Sequence, residues 1–225
     1  MSALQTPNNA VSLVTIHKVI TRGLDVSIHN TRRFKESGFP DLTIQTGFLN
    51  YVRALSAVLH GHHSTEDELA FPYFRKLLPE LPVDSLSAQH QDLIPILEAA
   101  NTAVDACSQA SSAEDGLSLL STALTQIDVI WHPHIQIEEK HFDIQTLGQM
   151  LPPEEHQRLN QLMGKHSQEH TGQPFLTVPF MLYNLPVDTR SILADDMPAE
   201  VTSHLVPVVW REQWITMKPF LLEIE

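Results

Sequence analysis

The chemical content of this sequence lies in its histidines, 13 of them in 225 residues, and in a few glutamates set at helical distances from them. His62 and Glu66 are four residues apart, as are His134 and Glu138. Four residues is about one α-helical turn, so each pair shares a helix face. His17 and His90 stand singly on two further segments. Along the chain the pattern is H, HxxxE, H, HxxxE, which repeats with a pseudo-two-fold symmetry. Imidazole nitrogens and carboxylate oxygens are ligands for iron and zinc, and two matched half-sets suit a pair of ions.

These residues have to be positioned by helices. Gly and Pro divide the chain into predicted helices at roughly 9–35, 41–77, 84–108 and 114–147, with a fifth from Pro152–Pro153 to about Gly172. Asp41 is a candidate N-cap for the second, and Asp84 or Ser85 for the third. Pro72 is expected to distort the last turns of the second, and Pro133 to bend the fourth beside His134. A polar stretch, SQASSAEDG, links the third and fourth.

Each long helix carries an apolar stripe that the donor residues interrupt. The stripes are Leu13, Ile20, Leu24 and Ile28 around His17; Tyr51, Leu55, Val58, Leu59, Leu69 and Tyr73 around His62 and Glu66; Val83, Leu86, Leu93, Ile94 and Leu97 around His90; and Leu120, Ala123, Ile127, Ile130 and Ile137 around His134 and Glu138. Strand-like alternation is almost absent, so the expected fold is all-α, an up-down four-helix bundle with its donors facing inward. Residues 174–225 are apolar and punctuated by proline, and predict two or three short helices, one starting at Pro198, packed on the bundle 1–173 as an extension of its core. Trp210, Trp214 and Met217 in that tail are expected to pack.

A single core histidine is usually a hydrogen-bonded structural residue, and a single HxxxE is a common surface pair. The metal reading rests on the conjunction. Burying an unpaired carboxylate costs several kcal/mol, on the order of the loss of a core side chain, and six polar groups converging without compensation would unfold a small bundle. A pair of cations removes that cost.

The stretches IHKVI, LHGHHSTEDELAFP, LSAQH and HIQIEEKHF, spanning about 10–147, resemble the hemerythrin-like HHE cation-binding family. The tail is similar to the C-terminal extension of some bacterial and fungal members. The resemblance implies a four-helix bundle around a non-haem di-iron centre, with His17, His62, Glu66, His90, His134 and Glu138 as ligands and the glutamates bridging two iron ions, zinc or a mixed pair being alternatives. Oxygen-carrying hemerythrins use five histidines and end with an aspartate. Four histidines and two glutamates leave coordination positions open, which suits reactivity or metal handling more than reversible carriage. His141, three residues after Glu138, is a candidate further ligand or hydrogen-bond partner of one. His60 and His63 are expected to be solvent-exposed, the latter with Asp67 behind it; His132 points elsewhere, and Glu138, not Glu139, falls on the His134 face. His156, His166 and His170 share one face of the fifth helix, read as solvated, with a second metal patch as the other possibility.

Lys and Arg total 14 against 27 Asp and Glu, a formal charge of −13. Such a surface repels phosphate, which argues against nucleic acid and anionic membranes as partners. One cysteine, Cys107, excludes a disulfide framework or CxxC redox motif within the chain. The first residues show no basic-then-apolar leader, and no apolar run is long enough to span a bilayer, so a cytoplasmic location is the default expectation. No GxGxxG, GxxxxGK[ST] or GxSxG occurs, which leaves nucleotide binding and elbow-serine catalysis without support. The expected partner is a small oxidant: dioxygen, peroxide or nitric oxide. The alternative is a non-enzymatic metal-binding or sensing protein whose occupancy a partner reads. A ferritin-like ferroxidase ranks below both, because its ExxH occurs once, at Glu138–His141, and Leu69 stands at the matching place on the second helix. The family's iron-centre repair members carry an N-terminal cysteine pair that this chain lacks.

Overall fold

The computed structural model describes residues 7–109 and 112–222. Residues 1–6, the beginning of the stretch expected to lack a leader, and residues 110 and 111 of the polar linker lie outside the described residues.

α1 (Asn9–Ser37) opens on Asn8, whose side-chain oxygen accepts the Ala10 N–H, and closes on Gly38 at φ 71°, a left-handed position that glycine adopts without a Cβ penalty. α2 (Leu42–Thr65) is capped by Asp41, which accepts the Ile44 N–H at 2.8 Å. The helix predicted over 41–77 does not continue unbroken. It passes into a π-helical turn, Glu66–Ala70, in which the Phe71 N–H reaches back five residues to the Glu66 carbonyl, and then into the short α3 (Phe71–Phe74). Pro72, with no N–H to return to the preceding turn, sits in that break. The wider turn advances the buried face by about one residue. Ala70, Phe71 and Phe74 therefore enter the core, while Leu69 and Tyr73, expected on the stripe, are only half-buried.

α4 (Val83–Cys107) begins directly after Pro82, so neither Asp84 nor Ser85 is its cap; the Pro82 carbonyl accepts the Leu86 N–H. Ile94 of its predicted stripe is 38% exposed. α5 (Ala113–His141) ends earlier than the predicted 147. Phe142 leaves helical geometry at ψ 53°, and Asp143 caps a new helix, α6 (Ile144–Met150), by accepting the Thr146 N–H. Pro133 lies inside α5 on its exposed side, where water can reach the carbonyl that it leaves unbonded. α7 (Pro153–His170) starts and stops where Pro152–Pro153 and Gly172 predict.

α1 packs on α2 and α5, and α4 packs on the same two helices, closing a ring of neighbours. The predicted two or three tail helices are five short segments: α8 (Pro174–Tyr183), α9 (Ser191–Ala194), a π-helical stretch Val201–Val209, α10 (Arg211–Trp214) and a 3₁₀ stretch Ile215–Phe220. Phe180, Trp214, Met217 and Phe220 join Phe48, Tyr51 and Leu55 of α2 in one apolar cluster, whereas Trp210 is half-buried. Gly47 permits this approach: a Cβ there would lie 1.9 Å from the Thr216 carbonyl oxygen. Arg22 of α1 adds a polar tie, donating to the Tyr51 hydroxyl, the Asn184 side-chain oxygen and the Phe220 carbonyl. Among the described residues there is no strand, and no helix is long and apolar enough to cross a membrane.

Candidate metal centre

The six sequence-predicted donors meet. His17 comes from α1, His62 from α2, Glu66 from the start of the π turn, His90 from α4, and His134 and Glu138 from α5; none is more than 7% exposed. They form two adjoining groups, each with its ligand atoms within 4.8 Å of one another. One holds His17, His62, Glu66 and Glu138; the other holds His63, Glu66, His90 and His134. Glu66 is common to both.

His63 corrects the expectation of exposure. It is 5% exposed and its ring stacks on His90 at 4.0 Å. Adjacent helical residues diverge by about 100°, but α2 faces the centre squarely, so His62 and His63 straddle its midline and each serves one group. His60 is exposed as expected, and His132 turns away to Asp128 at 3.2 Å. His141 stays outside both groups; its Nδ1 donates to the Ile137 carbonyl at 2.7 Å.

The outer ring nitrogens fix how the inner ones point. His17 Nδ1 lies 2.9 Å from Glu139 Oε1, His90 Nδ1 3.0 Å from Asp67 Oδ2, and His134 Nδ1 2.8 Å from Gln89 Oε1. Carboxylate and amide oxygens only accept, so the Nδ1 atoms of His17 and His134 carry hydrogens and their Nε2 atoms turn lone pairs inward, whereas His90 Nδ1 makes no hydrogen bond despite its approach to Asp67. His90 Nε2 and His134 Nε2 lie 3.1 Å apart, and His17 Nε2 faces Glu138 Oε2 at 3.2 Å. The Nε2 atoms of His17, His62 and His63, and both oxygens of Glu66 and Glu138, have no hydrogen-bond partner. Donors aimed at donors in a dry site repel; divalent cations between them convert the repulsion into coordination. The residues therefore fit a metal pair. Glu139 and Gln89 are the acceptors that orient the His17 and His134 rings, and Asp67 lies beside His90; the sequence reading gave none of the three this role. Their signal was adjacency: each lies one residue from a donor.

Electrostatics agrees. Burial raises the Glu66 carboxyl well above its ordinary value, and the nearby Glu138 and Asp67 push it further. Burial holds His62 and His63 well below theirs, with the surrounding imidazoles adding to the effect. His134 is pushed down to about 4, mainly by burial against the opposing pull of Glu138. For His17, burial lowers the value but the neighbouring Glu138 and Glu139 carboxylates outweigh it, and the net shift is upward. Without cations the site thus resists a negative Glu66 and a positive His62, His63 or His134.

Aromatic walls close the centre. Trp131, fully buried with its N–H on Thr21 Oγ1, has its ring 5.4 to 6.3 Å from those of His17, His62, His63 and His134. Phe71, brought inward by the π turn, lies nearly parallel to His90 at 5.6 Å. A cavity of about 360 Å³ reaches His62 and Glu66 and is walled by Leu13, Ile16, Phe74 and Met163; Met197 and Val201 of the tail also line it.

The face of α7 is not uniformly solvated. His156 is 1% exposed and locked to Asn9, whose backbone N–H donates to its Nδ1 at 3.2 Å. His166 and His170 remain near the surface, stacked on each other.

Compared with known proteins, residues 10–143 match the family model described as the hemerythrin HHE cation binding domain. Neither the search of curated proteins nor that of solved structures returned a match.

Proposed function

Because this chain belongs to the hemerythrin HHE cation binding domain family, we propose that its buried cluster is a dinuclear non-haem iron centre that binds or reacts with a small oxidant such as dioxygen, peroxide or nitric oxide. α1, α2, α4 and α5 form its up-down bundle. The observation that carries this reading is the set of inward lone pairs and unpartnered carboxylate oxygens, divided into two groups that share Glu66. His17, His62, Glu66, His90, His134 and Glu138 are the ligands, joined by His63. Iron so held supplies a redox-active Lewis acid at which a small oxidant can be bound or reduced.

The chain's own groups prepare that chemistry. Glu139 and Gln89 hold the His17 and His134 rings with Nε2 inward, so little reorientation of these two is needed as metal binds. Trp131 and Phe71 exclude water from two sides. The cavity beside His62 and Glu66 is apolar over most of its wall and gives a small uncharged molecule a route inward, and the tail narrows it through Met197 and Val201. His141 is turned to the Ile137 carbonyl, which weakens the ferroxidase alternative, since the chain's ExxH then lacks an inward histidine.

The sensing alternative draws on the same orphaned donors, because a core this polar makes folding depend on occupancy. One experiment separates the two. Iron-loaded protein exposed to air or peroxide develops near-ultraviolet absorption and consumes the oxidant under the first reading. Protein that binds zinc in preference to iron, stays colourless after iron loading and consumes no peroxide belongs to the second.

A further inference from the structure

Outside the buried centre, the seam between the π turn and α7 carries a second arrangement of donors. Glu68 projects outward from the same turn whose first residue, Glu66, points inward. Opposite it, His166 and His170 stand four residues apart on α7 with rings stacked at 4.2 Å and 18°. The three ligand atoms lie within 4.8 Å of one another.

The outer nitrogens are already committed. Thr65 Oγ1 gives its hydrogen to the Gly61 carbonyl, so at 3.1 Å from His166 Nδ1 it can only accept, and that Nδ1 is protonated. His170 Nδ1 donates to the His166 carbonyl at 2.8 Å. Both Nε2 atoms are thereby left as lone-pair donors. His166 Nε2 sits 2.9 Å from Glu68 Oε2, an approach that calls for a proton or a metal ion between them. Glu68 is further steadied by Ser64, whose hydroxyl donates to Oε1. A histidine pair at i, i+4 with each Nδ1 held by an oxygen acceptor, plus one carboxylate, is a three-ligand set for a borderline divalent cation with its remaining positions open to water. The chain's charge of −13 favours cation approach.

We propose that Glu68, His166 and His170 form a surface site for one Zn²⁺ or Cu²⁺ ion, bridging the π turn to α7. The site ties the segment that carries Glu66 to the helix whose Gln161, Gly164 and Gln168 line the cavity. Its occupancy stiffens that wall from outside and takes no ligand from the buried centre.

The test is a Zn²⁺ titration of the full chain, followed by calorimetry and metal analysis, comparing wild type with His166→Ala/His170→Ala and with Glu68→Gln. Circular dichroism first confirms unchanged helix content. Wild type is expected to take up one more ion than the double variant, and that ion should be removable by a mild chelator. Even loss of an outer-sphere partner weakens metal sites about 10- to 100-fold, so Glu68→Gln should weaken the extra ion at least about tenfold. With Cu²⁺, electron paramagnetic resonance should show nitrogen coupling that the double variant loses. Equal uptake by wild type and double variant, or copper signals that survive the substitutions, overturns the proposal. Because the readout is a difference between variants, it holds whatever the buried cluster contains, and failure of the dinuclear reading would show separately as absence of the ions common to all variants.

Discussion

At the residue scale the account rests on buried donor atoms that have no hydrogen-bond partner. Glu66 is the most exposed to test, since it belongs to both groups. Glu66→Ala should lower bound metal and melting temperature together, because it removes the shared ligand while five imidazoles still face one another. Unchanged metal content would strike Glu66 from the ligand set. Cys107 gives a pH prediction independent of metal. Burial pushes its thiol up from about 9 to about 11. A raised folded value means that this contribution is fully present below about pH 9 and is lost as pH rises towards 11. Native stability should therefore fall over that window by on the order of 2–3 kcal/mol, and Cys107→Ala should flatten the slope in denaturant titrations. His17, His62, Glu66, His90, His134 and Glu138 were legible because a 100° wheel puts each on an apolar stripe. His63 was not, since the same wheel places it off the stripe; that α2 presents its midline to both donor groups is a tertiary fact.

At the scale of elements, the π turn decides the site. The wheel drawn through 41–77 has one phase, whereas the chain has two, with the change falling between Glu66 and Phe71. That is why Leu69 and Tyr73 were misplaced and why Phe71 lies beside His90. Pro72 marked the disturbance but not its form, because a proline can be met by a kink, a break or a wider turn. Deleting Leu69 should return the segment to α-helical spacing with Phe71 and Phe74 kept in the core, whereas one alanine inserted after Leu69 should swing both about 100° outward. The expected cost of the insertion is at least about 3 kcal/mol, the scale of losing a buried aromatic, read as the denaturant midpoint of the metal-loaded protein. The break after His141 had a local signal: Asp143 three residues before Thr146 is a cap.

Over the whole molecule, the long helices supply the donors and the tail closes over them. The tail's composition predicted packing but not where, because the close approach depends on a missing side chain, at Gly47. Gly47→Ala should destabilise the chain by about 1–3 kcal/mol through the clash with Thr216 while leaving metal content unchanged. A thermal melt and metal analysis of one preparation would check both halves of that statement. Arg22, Tyr51 and Asn184 set the same closure in hydrogen bonds, joining α1, α2 and the end of α8.

The most direct test of the dinuclear centre is the tightly held metal per chain in protein purified without added chelator, measured on His166→Ala/His170→Ala so that only the buried cluster is counted. Two ions per folded chain, falling with Glu66→Ala, is the predicted result. A fully folded chain with no tightly held metal, its buried histidines and glutamates satisfied some other way, would contradict it.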